Sequence, residues 1–326
     1  MEENIKILLI TNKTDITTDF IVKNLKHKEI PFYRLNTESL GDFVDIRFNF
    51  FLNKYLLLDK ALKVEIDLSK IRSVYFRRPE ITNISNSSLT EGEKNFIKSE
   101  ILFTLEGLYR ILDNAHWLNS VYDIRNAENK IYQLILAKNI GLCIPNSLIT
   151  NNPSSAFTFY ENNNSSCIIK PIKSGLIQGS KEEGVIFTNK VVLNDQNLAR
   201  VESCPLYLQS YISKKGDIRV TVVGNELFAA FIDSQTKKES KVDWRKSVQP
   251  LKHSRIKLPQ NIAEKCLLLT KRLNLNLAAI DFILDKENNF IFLEINPNGQ
   301  WAWIEKQLNY PISDKIANII IEKAIN

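Results

Sequence analysis

Apolar and polar positions change their spacing several times along the chain, and each change marks an element. The run Ile5-Lys6-Ile7-Leu8-Leu9-Ile10 stops at Thr11-Asn12. A helical spacing follows (Phe20, Ile21, Asn24, Leu25), then a strand-like Pro31-Phe32-Tyr33-Arg34-Leu35, so the opening reads as βαβ. From Phe43 to Asp67 the alternation at period two (Val44, Ile46, Phe48, Phe50; Tyr55, Leu57; Leu62, Val64, Ile66), with turns at Asn53-Lys54 and Asp59-Lys60, predicts an antiparallel meander. Ile71 to Arg77 reads as another strand, stopped by Pro79, whose ring is expected to keep Arg78 extended. Phe96, Ile97, Ile101, Leu105, Leu108 and Leu112 then form one face of a helix from Glu91 to Leu112.

A further helix, Asn126 to Asn139, closes on Gly141 and Pro145, which places a boundary near Trp117-Leu118-Asn119. Beyond it come a strand at Ser147 to Thr150, a helix around Ser154 to Tyr160, a strand at Cys167 to Lys170, a loop holding Gly175 and Gly179, and a strand at Gly184 to Thr188. The last third predicts strands Leu206 to Tyr211, Asp217 to Val223, Glu226 to Ile232, Ala278 to Leu284 and Phe290 to Ile295, with helices Gln260 to Leu273 and Ser313 to Ala324. The expected class is α/β in three parts: 1–118, 119–204 and 205–326.

Composition changes this picture little. With 44% hydrophobic and 25% charged residues the chain has the apolar surface to fold, and no apolar stretch approaches the roughly 18 residues of a membrane span. Glu2-Glu3-Asn4 gives no basic region ahead of the first apolar run, so a secretory signal is not expected. Cys143, Cys167, Cys204 and Cys266 include no Cys-x-x-Cys pair and read as reduced, mostly buried thiols of a cytoplasmic protein. The net charge of +6 reads as dispersed along the chain, which suits polyanionic small ligands or acidic peptides better than duplex DNA; neither a nucleic acid nor a membrane is an expected partner.

The informative chemistry lies in the last strand pair. If Lys286-Glu287-Asn288-Asn289 is a four-residue turn, Asp285 faces Phe290 and Asp281 lies directly opposite Glu294. Glu294 and Asn296 share a face at period two, so three oxygen donors converge; a slipped two-residue turn would set Asp281 opposite Asn296 and keep the trio together. Two opposed carboxylates destabilise a hairpin unless a cation joins them, and two carboxylates with one amide oxygen suit Mg²⁺, which commonly takes phosphate oxygens as further ligands. Lys170, Lys173, Gly175 and Gly179 offer a cationic, glycine-containing loop for such a phosphate, although the P-loop and dinucleotide fingerprints are both missing.

An ordered set of motifs resembles the ATP-grasp ligases: Asn129-Lys130; Ile169-Lys170-Pro171; Gln209-Ser210-Tyr211-Ile212; Gly216-Asp217-Ile218-Arg219-Val220; and Ala279-Ile280-Asp281-Phe282 followed by Leu293-Glu294-Ile295-Asn296-Pro297-Asn298-Gly299-Gln300-Trp301. Within them, Tyr75-Phe76-Arg77-Arg78-Pro79-Glu80 and the Asn-Pro-Asn-Gly-Gln-Trp ending look like the microviridin-type peptide ligases, or graspetide synthetases. The resemblance implies an ATP-grasp fold, two α+β subdomains clasping ATP, preceded by an N-terminal α/β pre-ATP-grasp domain.

It also implies roles. Lys130 and Lys170 would hold ATP phosphates, with Asp217 beside the nucleotide; Gln209 and the backbone near Tyr211 and Ile212 would meet the adenine edge; Asp281, Glu294 and Asn296 would bind Mg²⁺; Arg219 would face the reacting phosphoryl group. Gln209 stands where many relatives have Glu, and its amide oxygen can still accept from an adenine amino group. Read from their own chemistry, Arg77 or Arg78 would receive a substrate carboxylate or a phosphate oxygen, the alternative being an ion pair with Glu80, and Trp301 would wall the substrate cleft, the alternative being core packing. A loop from Lys173 to Gly184 is the expected lid.

The implied activity is activation of Asp or Glu side chains of a ribosomal precursor peptide as acyl phosphates. Thr or Ser hydroxyls or Lys amines would then condense with them to give macrocyclic esters or amides. The implied partner is a peptide with a leader and an acidic, Thr/Ser-rich core, and the resemblance leaves room for a homodimer. Two rival readings share the same nucleotide residues: a ligase joining free amino acids to a carboxylate, and a silent nucleotide- or peptide-binding module.

Overall fold

The computed structural model describes residues 5–81, 84, 88–173, 175–178 and 183–325. Gly179 and part of the expected lid lie outside these residues. The chain divides into two compact units: Met1–Ile124 with Leu275–Leu277 and Gln300–Asn326, and Arg125–Asn274 with Ala278–Gly299.

The first unit is built on a parallel sheet in the order Phe32–Asn36, Ile7–Thr11, Ser73–Phe76, His116–Trp117. Ile7, Leu8, Leu9 and Ile10 are all buried, which is why this strand reads as an unbroken apolar run rather than an alternation. The helix Ile16–His27 follows, its first turn capped by the Asp15 carboxylate accepting from the Thr17 backbone N–H. The meander is Val44–Asn49, Lys54–Asp59 and Val64–Asp67, all antiparallel. Helix Glu91–Ile111 starts on a reciprocal cap between Thr90 and Glu93 and buries Leu105, Leu108 and Tyr109.

Two expectations for this unit need correction. The sixth strand ends at Phe76, and Arg78 takes a left-handed conformation (φ 46°), against the preference of a residue before proline. The neighbouring loop imposes it: Asn12 Nδ2 donates to the Arg78 carbonyl at 2.6 Å and Thr37 Oγ1 to the Glu80 carbonyl at 2.5 Å. Second, the C-terminal helices Ala302–Leu308 and Ile312–Ile325 belong to this unit rather than to a part running from 205 to 326. The Lys28–Asp314 ion pair (2.9 Å) and the bond from Asn24 Nδ2 to Ser313 Oγ (2.8 Å) tie the last helix to Ile16–His27.

In the second unit, an antiparallel sheet runs Asn189–Val191, Cys167–Lys170, Leu206–Ser210, Ser147–Thr150, with helix Pro153–Asn162 packed on it through Ala156 and Tyr160. The glycine-containing loop holds a short hairpin, Leu176–Gln178 with Glu183–Val185. A second, five-stranded sheet runs His253–Arg255, Glu226–Ile232, Lys214–Val223, Leu277–Asp285, Phe290–Asn296. The single helix expected over Asn126 to Asn139 is two, Val121–Ala127 and Lys130–Asn139, because Asn129 caps the second by accepting from Tyr132 N. Two cysteines are buried (Cys167, Cys266) and two exposed (Cys143, Cys204). Among the described residues, no helix is long and apolar enough to cross a membrane.

Candidate active site

The hairpin Leu277–Asp285/Phe290–Asn296 pairs Asp281 with Glu294, by a route other than the turn count suggested. Leu284, not Asp285, faces Phe290, so the connection is the shorter Lys286-Glu287-Asn288, with Asn288 left-handed at φ 67° and the Asp285 carboxylate accepting from the backbone of Glu287 and Asn289. A bulge between Asp281 and Phe282 then absorbs one residue, Leu293, and returns Asp281 to Glu294 and Ala279 to Asn296. The bulge has a consequence for aim. Leu293 and Glu294 both line one cavity, which neighbours on a regular strand cannot do.

That cavity has a volume of about 230 Å³ and lies wholly within the second unit. Asp281, Glu294, Lys130, Lys170 and Asp217 all line it. Asn296 Nδ2 donates to Asp281 Oδ2 (3.2 Å) and Glu294 Oε1 (3.4 Å), so the three expected oxygen-bearing side chains meet. Arg219 Nη1 bridges both Asp281 oxygens at 2.9 and 2.7 Å; it is an ion pair with a sheet neighbour and a member of the cluster at once. Gly299 packs tightly here: a Cβ at this position would stand 2.3 Å from the Ala279 Cβ and 2.8 Å from Arg219 Nη2.

Helix Lys130–Asn139 places Lys130 by means of a buried glutamine. Gln133 Nε2 donates to the Ile295 carbonyl (2.8 Å) and Ile295 N to Gln133 Oε1 (3.1 Å), locking the helix to the strand beside Glu294. Lys130 Nζ then sits 3.4 Å from Glu294 Oε2 and donates to the Pro171 carbonyl at 3.1 Å. Burial would raise the Glu294 carboxyl, but Lys130, Lys170 and Arg245 hold it down at about 2. Burial raises Asp281 against the pull of Arg219. Lys170 is lowered to about 8, chiefly by burial, with Glu294 working in the opposite direction. The cluster is therefore a ring of cations around one firmly ionised acid.

Three expected contributors sit elsewhere. Gln209 is fully buried on a central strand, its Nε2 donating to Ser147 Oγ (3.0 Å) and Tyr207 Oη (2.9 Å), and it does not line the cavity. Trp301 is completely buried in the first unit, with its ring edge-on to Phe20 at 6.1 Å, so it packs a core instead of walling a cleft. Arg77 is buried too, and its partner is Asp15 (3.2 Å) rather than Glu80; Arg78 is exposed. Tyr211 donates its backbone N–H to the Ser166 carbonyl (2.9 Å), and Lys190 lies over its ring at 3.7 Å. Asp217 pairs with Lys214 at 2.8 Å, and burial raises its carboxyl.

The sequence reading overlooked Asp243-Trp244-Arg245, all of which line the cavity. The buried Asp243 carboxylate receives Arg245 Nε and Nη2 at 2.8 Å each and the Thr188 N–H at 3.2 Å, leaving Arg245 Nη1 3.8 Å from Glu294 Oε1. Its signal in the sequence is local charge, since Thr236 to Lys257 holds eight basic and two acidic residues.

A model of the RimK-like ATP-grasp domain matches residues 127–320, and one of the MvdD pre-ATP grasp domain matches residues 6–125. A RiPP-associated ATP-grasp ligase of Chryseobacterium gregarium, solved with ADP and a leader and core peptide, is similar at TM-score 0.88 and 29% identity, over 98% of this chain and 97% of that one. The macrocyclase MdnC from Microcystis aeruginosa MRC, bound with precursor peptide MdnA, is similar at 0.85 and 26%, over 97% and 98%. The chain belongs to the ATP-grasp ligases of the graspetide, microviridin type. The chain is also similar to a curated protein. A probable alpha-L-glutamate ligase of Haemophilus influenzae is 25% identical over 207 residues, and the match spans 62% of this chain and 66%, just under two thirds, of that protein.

ATP and Mg²⁺ come with this family, and the residues present fit them. Among the described residues no three His, Cys, Asp or Glu side chains form a closed metal cage. Two carboxylates and one amide leave coordination positions open, as Mg²⁺ bound to a nucleotide requires. The surrounding lysines and arginines supply the countercharge for a polyphosphate.

Proposed function

We propose that this graspetide-type ligase activates Asp or Glu side chains of a ribosomal precursor peptide with ATP and condenses them with Thr or Ser hydroxyls or Lys amines into macrocyclic esters or amides. The observation that carries the reading is that Asp281 and Glu294 line a cavity together with Lys130, Lys170 and Arg245, while Asn296 and Arg219 hydrogen-bond to those two carboxylates from beside it. Both similar structures named above were solved with peptides.

Asp281, Glu294 and Asn296 would hold Mg²⁺, which supplies charge neutralisation at the phosphates. Lys130 and Lys170, which line the cavity, would hold phosphate oxygens, and the Asp281 carboxylate fixes the Arg219 guanidinium next to the metal-binding cluster. The adenine edge would fall to the backbone near Tyr211 and Ile212 and to the Gln209 amide oxygen, which accepts no hydrogen bond among the described residues. The substrate carboxylate attacks the γ-phosphorus, ADP leaves, and the hydroxyl or amine displaces phosphate from the resulting acyl phosphate. Residues 176–178 and 183–185 form a hairpin well suited to exclude water from that intermediate. Arg78, exposed at the end of the parallel sheet, is the candidate for a peptide carboxylate; Arg77 is committed to Asp15.

The test is incubation with ATP, Mg²⁺ and a synthetic acidic, Thr/Ser-rich peptide carrying a leader segment, read by mass spectrometry. Loss of about 18 Da per bond, matched by one ADP, is expected. A gain in mass with free glutamate present would favour amino-acid ligation, the reading that the glutamate-ligase similarity supports. No ADP with any peptide would favour a silent binding module.

A further inference from the structure

The net charge of this chain is concentrated in one place. Of its 43 basic and 37 acidic residues, the stretch from Thr236 to Lys257 holds eight and two, so the remaining residues balance at 35 of each and the whole excess of +6 resides there. The dispersed charge expected from the sequence is therefore wrong in detail. Lys237, Lys238, Lys241, Lys252 and Lys257 are all exposed.

The stretch is a fastened strap. The Ser240 hydroxyl donates to the Ser234 carbonyl (2.7 Å), Lys214 Nζ to the Val242 carbonyl (3.3 Å), and the buried Asp243 carboxylate accepts from the Thr188 N–H. Its far end, His253–Arg255, pairs along Glu226–Ile232 as an outer strand of the five-stranded sheet. The inward side, Val242 to Arg245, lines the cavity that holds Asp281 and Glu294. One ordered segment thus carries the molecule's uncompensated positive charge up to the rim of the reaction cavity.

We infer that this strap is the docking surface for an acidic segment of the peptide substrate, its lysines holding carboxylates while a neighbouring acidic side chain enters the cavity. The inference rests on the proposed peptide-ligase reading. Charge complementarity selects the partner: single lysine ammonium groups act as point charges for separated carboxylates. The strap's one Phe, Tyr or Trp side chain, Trp244, lines the cavity, so its outer surface lacks the large aromatic platforms on which single-stranded nucleic acid stacks. Binding of this kind raises encounter rate and affinity and is screened by salt.

The experiment measures fluorescence anisotropy of a short fluorescein-labelled Glu/Thr peptide and its Gln/Thr counterpart, at low and physiological salt. The proteins are the full chain, a K237E/K238E/K241E variant, and a K23E/K26E/K70E control with the same change of net charge in the first unit. ATP binding and thermal melting report that each variant is folded. The Glu/Thr peptide is expected to bind in preference to the Gln/Thr peptide, with affinity about tenfold or more weaker in the strap variant at low salt and unchanged in the control. Equal losses in both variants, or no binding of the acidic peptide to the unaltered chain, would overturn the inference. So would tighter strap-dependent binding of single-stranded DNA of similar length. Failure of the ligase reading shows separately, as absence of ADP and mass loss with the precursor peptide.

Discussion

At the scale of single residues the site is an electrostatic balance, and two side chains report on it. Lys170 is lowered to about 8 in the nucleotide-free protein, mainly by burial. A phosphate beside it favours the ammonium, so ATP binding should take up a proton above about pH 8, and affinity should fall as pH rises through that value by up to about tenfold per unit. Below it, where Lys170 is already charged, binding should show no such uptake. Calorimetry in buffers of different ionisation enthalpy measures this directly; a flat profile, or an unchanged slope in Lys170→Arg, would contradict the assignment.

Arg219 tests the other half of the balance. Its guanidinium offsets the buried Asp281 charge at 2.7 Å, so Arg219→Ala should cost about 3–5 kcal/mol in urea unfolding at neutral pH. Asp281→Asn in the Arg219→Ala background should recover part of that stability, because the stranded carboxylate is then gone, while activity stays lost. Equal destabilisation of the single and double variants would show that the pair is only packing.

Elements set the aim of these residues. The hairpin delivers Glu294 through a shorter turn than the sequence suggests and a compensating bulge at Leu293, two departures of one residue that cancel. Period-two alternation made the carboxylate pair legible; the bulge was not, because an extra residue in a uniformly apolar strand leaves no mark in the pattern. Asn288 in the left-handed region predicts that Asn288→Gly is nearly neutral, whereas Asn288→Val costs about 1–2 kcal/mol in denaturant melts. Gly299 is legible only in three dimensions. A methyl there collides with Ala279 and Arg219 Nη2, so Gly299→Ala should reduce turnover more than about tenfold by displacing Arg219, with ATP affinity much less affected. Unchanged kcat would show that the loop yields without moving the guanidinium.

For the whole molecule, the sequence carried the βαβ opening, the meander and the longer strands of both sheets in the second unit, but not their short edge strands Asn189–Val191 and His253–Arg255. It did not carry the membership of the last helix. Ile312–Ile325 reads as one more amphipathic helix, and only its packing against Ile16–His27, Ile7–Thr11 and Ser73–Phe76 assigns it to the first unit. For Trp301 the structure takes the core-packing alternative, which the sequence left open because burial by sequence-distant partners such as Phe20 has no local signature. Ile316 and Ile320 are both fully buried, so Ile316→Ala should destabilise the first unit by about 2–5 kcal/mol. Hydrogen exchange should show the last helix and the parallel sheet opening together; independent opening would contradict the shared core.

In the proposed mechanism the carboxyl-terminal β-hairpin binds a divalent ion together with nucleotide phosphates. Electron paramagnetic resonance of Mn²⁺, titrated with ATP into the unaltered chain and into Glu294→Gln and Asn296→Ala, tests it most directly. ATP-dependent immobilisation of one Mn²⁺ in the unaltered chain, weakened at least about tenfold in both variants while their folds persist, is the predicted result. Mn²⁺–ATP binding with unchanged affinity in both variants would contradict the claim.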